Sequence, residues 1–160
     1  MAWAKLATKT LTSSSNTIIP STFTGNKFLF VISHHLGMSD ATNNDAFNFN
    51  SDTASNYARR QSANGNSDTT STSQTKAELY GWNYQDFAIT YIVNISTEEK
   101  LLIHFKVNQG TAGAGTAPYR SENVAKWTNT SAQITDLSYN IVSGSPTFSL
   151  DSNLSVLGTD

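Results

Sequence analysis

The sequence predicts an all-β chain, a single antiparallel β-sandwich over residues 1–160, jelly-roll-like and built from roughly eight to ten strands. Three observations lead there. Short runs rich in β-branched and aromatic residues recur from end to end, separated by polar turn clusters. Amphipathic helical spacing never coincides with helix-favouring composition over more than about three turns. A length of 160 residues suits one domain, and no repeat of about 20 to 50 residues marks a solenoid or propeller.

The elements follow in chain order. Trp3 to Thr12 and Thr17 to Thr24 bracket the polar cluster Ser13-Ser14-Ser15-Asn16, and Pro20 makes the second run an edge or bulged strand. Lys27 to His35 is apolar on both alternating faces, Phe28, Phe30 and Ile32 on one and Leu29 and Val31 on the other, as for a core strand buried between two layers. Asp86 to Ile95 repeats this, with Phe87, Ile89, Tyr91 and Val93 on one face and Ala88, Thr90 and Ile92 on the other. After the turn Ser96-Thr97-Glu98-Glu99, residues 101–107 alternate more clearly. Leu101, Ile103, Phe105 and Val107 are expected to point inward, with Leu102, His104 and Lys106 on the other face. These two runs form the best-marked hairpin. Gly110 to Gly115 is a flexible loop, and Ile134 to Val142 and Asn153 to Leu157 are strands around Ser143-Gly144-Ser145-Pro146.

Between the early strands and the hairpin lies a polar tract, Ser39 to Thr75, crowded with Ser, Thr, Asn, Asp and Gln. Such composition alone would be disordered, but apolar runs flank it closely, so it reads as an elaborated surface of the sandwich. Strands are expected around Phe47 and around Tyr57, with residues 61–73 free to vary.

Composition narrows the function. Hydrophobic residues make up 38% and charged residues 14%, so solubility rests on neutral hydroxyl and amide groups. A net charge of −2 is too small to steer the chain to nucleic acid or an anionic membrane, and neither is expected as a partner. The absence of cysteine excludes disulfides, thiolate zinc sites and a cysteine nucleophile. Without an apolar leader or a membrane-length run, the protein is expected to be made and left in the cytoplasm.

No catalytic, cofactor or metal residue is expected. There is no G-x-S-x-G elbow, phosphate-cradling loop or H-E-x-x-H pair, and the glycines of GTAGAG lack the spacing of a dinucleotide loop. His34 and His35 face opposite ways on a strand, so at most one could join His104 around a metal; ordinary histidines are the expectation. Two clusters are candidates for glycan or partner binding. Tyr80, Trp82, Asn83 and Tyr84 offer a stacking face for a sugar ring, with Asn83 and Asp86 as hydrogen-bonding groups, or else pack at a sandwich edge or subunit contact. The block Asn56-Tyr57-Ala58-Arg59-Arg60 offers guanidinium forks to a carboxylate or anionic glycan, or else its arginines pair with Asp52 or Asp68. The N-x-[ST] triplets at Asn94, Asn129 and Asn153 are expected by chance in such a composition.

Several stretches resemble small structural proteins of marine bacteriophages and related viruses. They are Trp3-Ala4-Lys5-Leu6 with Thr10-Leu11-Thr12, the run from Phe47 to Arg59, Ile95 to Leu101, Lys126 to Ser131 with Gln133-Ile134-Thr135, and Leu154 to Gly158. The chain departs from that pattern where serine, alanine or asparagine replaces glycine before Asn56 and before Lys126, which bears on loop conformation more than on fold. The resemblance implies a non-enzymatic viral protein of the virion, a capsid decoration, spike or fibre module. Its implied partners are the major capsid protein or other virion proteins and its own copies, a homo-oligomer with a trimer as the expected state. A carbohydrate-binding adhesin that engages a host-surface glycan is the alternative.

Overall fold

A chain whose apolar residues alternate along short strands can bury them by closing two sheets face to face. The computed structural model describes residues 2–39 and 44–160; Met1 and residues 40–43, part of the polar tract, lie outside the described residues. The strands are β1 (Ala4–Thr10), β2 (Thr17–Ile18), β3 (Phe28–His35), β4 (Asp45–Phe49), β5 (Tyr57–Ala63), β6 (Thr69–Gln74), β7 (Ala77–Leu79), β8 (Asp86–Val93), β9 (Lys100–Asn108), β10 (Tyr119–Trp127), β11 (Leu137–Ile141) and β12 (Asn153–Thr159). They form an eight-stranded sheet in the order β1-β12-β3-β8-β9-β10-β5-β6 and a four-stranded sheet in the order β2-β11-β4-β7. Every pairing is antiparallel.

The connectivity is that of a jelly roll. β1 and β2 pair with β12 and β11, β3 and β4 pair with the same two strands from the other side, and β8 and β7 pair with β3 and β4. A long two-stranded ribbon is thereby wrapped so that its successive pairs, β1 with β12, β2 with β11, β3 with β8 and β4 with β7, alternate between the sheets. The extra strands are β5-β6, inserted between β4 and β7, and β9-β10, inserted between β8 and β11. Both insertions join the large sheet beyond β8 and double its width.

The expected hairpin is present as β8 and β9, in register from Asp86 opposite Asn108 to Val93 opposite Leu101. The strands expected at Phe47 and Tyr57 are β4 and β5, and the Pro20-containing run contributes only Thr17–Ile18, at the edge of the small sheet. Besides β3 and β8, expected to be covered on both faces but partly open on the face of Phe30, Phe87 and Tyr91 because no layer packs there, three expectations need correction. Strands number twelve among the described residues rather than eight to ten, because β7 and β10 carry too little apolar alternation to stand out. Residues 61–73 are not free, since β5 runs to Ala63 and most of β6 lies within them, its polar residues held by backbone pairing to β5. The third concerns the faces of β9. Leu101, Ile103 and Phe105 point out, while Lys100, Leu102, His104, Lys106 and Asn108 are buried. A two-residue period says that two faces differ, not which of them is covered.

A chain of packed aromatic rings, from Phe148 through Tyr139, Phe47 and Phe49 to Trp127, runs through the core. Phe47, Phe49, Tyr57, Trp127, Tyr139 and Phe148 are each no more than 1% exposed, and Tyr57 stacks on Trp127 at 6.3 Å between ring centroids. Asp52 ties the Trp127 end together by accepting hydrogen bonds from Trp127 Nε1 at 2.6 Å, Asn56 Nδ2 at 2.9 Å and the Ala54 amide at 2.8 Å. Asn94, fully buried, plays the same part between the turn after β8 and the segment before β11. It donates to the carbonyls of Asn26 and Ile134 and accepts from the Ile134 amide at 2.6 Å. The turn after β4 is left-handed at Asn50 (φ 50°) and Ser51 (φ 57°), and the Asn50 side chain accepts from the amides of Thr135 and Asp136.

Asn94→Ala strands the Ile134 amide and two carbonyls inside the protein, and should lower unfolding free energy by about 2 kcal/mol in a denaturant titration. Partial burial, the largest influence on Asp52, pushes its pKa up, but the Asn56, Trp127 and Ala54 hydrogen bonds together hold it below the ordinary 3.8. Its stabilisation is therefore complete above the unfolded-state value and lost as pH falls through the lowered folded one. Asp52→Asn should remove that acid-limb component from a plot of stability against pH; parallel profiles for the two proteins would contradict it.

Candidate functional site

The outward turn of β9 sets side chains of the large sheet into rows across its outer face. One row runs Phe30, Tyr91, Ile103, Val124 and Arg60 on β3, β8, β9, β10 and β5; a second runs Phe28, Val93, Leu101, Lys126 and Ala58; a third runs Ile32, Ile89, Phe105, Glu122 and Ser62. Cross-strand neighbours on one face touch, so the apolar members of these rows form one continuous surface. Its centre is open to solvent: Ile103 is 63% exposed, Leu101 54%, Val124 48% and Phe87 46%. Trp3 closes one side, with its ring 6.0 Å from Phe30 and 6.1 Å from Tyr91. On the other side β5 and β6 frame a groove of about 640 Å³ over Tyr91, Leu101, Ile103 and Val124, with Thr70 and Thr72 along the wall. Charged pairs form a rim, Lys126 to Glu99 at 2.7 Å and Arg60 to Asp68 at 3.0 Å.

Six large apolar side chains on this face, Phe87, Tyr91, Leu101, Ile103, Phe105 and Val124, are each 39–63% exposed, and contiguous apolar surface of this kind marks an interaction site.

The inner face of the same strands carries a buried polar cluster beside the core residues Ile92, Leu102 and Trp127. His35, Asp86, Thr90, His104, Lys106 and Asn108 are at most 3% exposed and face Asp45 and Tyr139 of the small sheet. Lys106 Nζ is in contact with Asp45 Oδ2 and lies 3.8 Å from Asp86 Oδ2. Asp86 Oδ1 pairs with His35 Nδ1 at 2.8 Å, and Thr90 Oγ1 with His104 Nδ1 at 2.8 Å. The His35 ring packs against both Tyr139 and Phe148, each at 4.8 Å. Burial opposes the Lys106 charge, yet the two carboxylates outweigh it and raise the lysine pKa. Burial likewise opposes ionisation of Asp86, and Lys106 with His35 lowers its pKa in spite of that. His104 has no such partner; burial and the Lys106 charge hold its pKa well below the ordinary value, so its ring is neutral. Ligand atoms of His35, Asp45 and Asp86 lie within 4.8 Å of one another, and the Lys106 ammonium supplies the positive charge among them. His34 points the other way, toward Gln85.

The clusters expected from sequence are placed differently. Tyr80 and Trp82 meet at 4.7 Å between ring centroids, and Trp82 stacks on Tyr119 at 5.9 Å and 24°, so a neighbouring ring already lies over the indole. Tyr84 is exposed and joins no ring contact among the described residues. The backbone carbonyls of Asn83 and Tyr84 accept from the Met38 amide and from Asn108 Nδ2. Arg59 pairs with Glu78 at 3.2 Å and Arg60 with Asp68, while Asp52 is engaged by Trp127 instead of an arginine. Tyr57 is a core residue, 1% exposed, and burial first of all pushes its phenol up to about 12. It therefore offers no ring to a ligand.

No protein-family model matches the sequence, and no curated protein matches it. Ile103→Glu, on the open face, should leave thermal stability nearly unchanged while reducing binding of a hydrophobic dye to the folded protein. A large loss of stability would show that the face is not open.

Proposed function

We propose that the protein is a structural component of a virion, a capsid-surface decoration or spike protein, and that it associates with the particle through the outer face of β8, β9 and β10. The carrying observation is the continuous apolar surface around Ile103, backed by a buried, charge-bearing polar cluster. Apolar side chains kept outward where lysine and histidine are kept inward are hard to explain by folding alone, because the reverse arrangement would desolvate fewer charges. The resemblance of the chain to phage structural proteins supports the same reading. The occupant is a neighbouring protein subunit of the particle that presents an apolar ridge to the groove. An apolar centre with a charged rim is the anatomy of a protein interface.

Particles carrying Ile103→Glu with Phe105→Glu should lose this subunit during purification, while Trp82→Ala particles keep it. Retention of the double variant at wild-type occupancy would refute the docking face. Binding of the isolated protein to a glycan array that Trp82→Ala abolishes would favour the adhesin instead.

A further inference from the structure

We propose that Lys106 and Asp45 become joined by an intramolecular amide, an isopeptide bond from Lys106 Nζ to Asp45 Cγ, which staples the two sheets of the sandwich covalently. The two side chains come from opposite sheets, β9 and β4, and meet with neither exposed at all. Among the described residues Asp45 Oδ1 has no hydrogen-bond partner, so this carboxylate is only half satisfied as an ion. A second carboxylate, Asp86, stands 3.8 Å from the same nitrogen and is itself oriented by His35 through its other oxygen. The walls are aromatic: the Tyr139 ring centroid lies 5.9 Å from Nζ, with Phe47 and Phe148 packed on Tyr139.

Each part has a chemical role. The two carboxylates favour the ammonium, so the reactive form is a minor one, reached when one proton passes from the ammonium to the Asp45 carboxylate and leaves a neutral amine and a neutral acid; burial of both charges lowers the cost of that transfer. The freed lone pair on Nζ then attacks Cγ. Asp86 takes a proton from the attacking nitrogen and delivers it to the departing hydroxyl, which leaves as water. One C–N bond forms, one C–O bond breaks and one water is released; nothing is oxidised or reduced. Asp86 ends as it began, ionised against His35. Fixed contact between the reacting groups replaces an improbable encounter, the effect that lets intramolecular reactions run without activation of the acid. The product exchanges two buried charges for one neutral amide, in a chain that has no cysteine for a disulfide.

Intact-mass measurement of the denatured full-length protein, purified in the folded state, decides the matter. The expected mass is one water below that of the sequence, after allowance for any loss of Met1. Proteolysis should yield a branched peptide joining the segment around Asp45 to the segment around Lys106. Lys106→Arg and Asp45→Ala should restore the full mass, and Asp86→Asn, which keeps both reacting groups, should do so in whole or in large part. Wild-type protein that stays at full sequence mass after prolonged incubation overturns the proposal, as does a water loss that maps elsewhere. Because the wild-type mass suffices, misfolding of a variant would not blur the result.

Discussion

The positive charge of Lys106, enclosed between two sheets, is the constraint around which this sandwich is organised. An ammonium removed from water must be met by carboxylates in the same interior, and the fold brings Asp45 from the small sheet and Asp86 from the neighbouring strand to meet it. His35 then satisfies the free oxygen of Asp86, and Tyr139 and Phe148 pack against the imidazole. Register follows from the same requirement. A slip of one residue in β9 would turn Lys106 into solvent, leaving the Asp45 carboxylate unpaired inside and Asp86 with His35 alone.

That requirement carries through to the surface. Strand side chains alternate, so holding Lys106, His104 and Lys100 inside sends Leu101, Ile103 and Phe105 outside. Lys100 is accommodated separately, with its ammonium donating to the carbonyls of Glu98 and Asn129 at 2.7 Å each and lying 5.9 Å from the Trp127 ring centroid. The interior charge cluster and the exterior apolar face are thus two sides of one strand. The two inserted hairpins make this possible, since they widen the large sheet from the four strands of the jelly roll to eight and supply both the extra interior wall and the exterior groove.

Much of the architecture was legible in the chain. β3 and β8 announce themselves by dense β-branched and aromatic residues, β12 by the alternation of Leu154 and Val156 with polar neighbours, and the Ser96 to Glu99 turn marks a hairpin that forms as expected. β10 and β6 were not legible, because Ser121 and Asn123 are buried although polar, and Thr70 is exposed and takes part through backbone pairing alone. The aromatics at Tyr80 and Trp82 stood out in sequence, but their stacking partner Tyr119 lies far along the chain. The site itself was hidden in plain view: the residues at its centre were noted, with the opposite orientation. Burying apolar side chains is the ordinary solution for an alternating strand, and only the carboxylates of two distant segments make the unusual one affordable.

The sequence by itself therefore determined the class of fold, its single antiparallel sandwich and most strand positions, because these depend on local alternation and turn chemistry. The tertiary structure decided which face of each strand is interior. That choice rests on long-range pairing of Lys106 with Asp45 and Asp86, residues 61 and 20 positions away, and no local pattern encodes it.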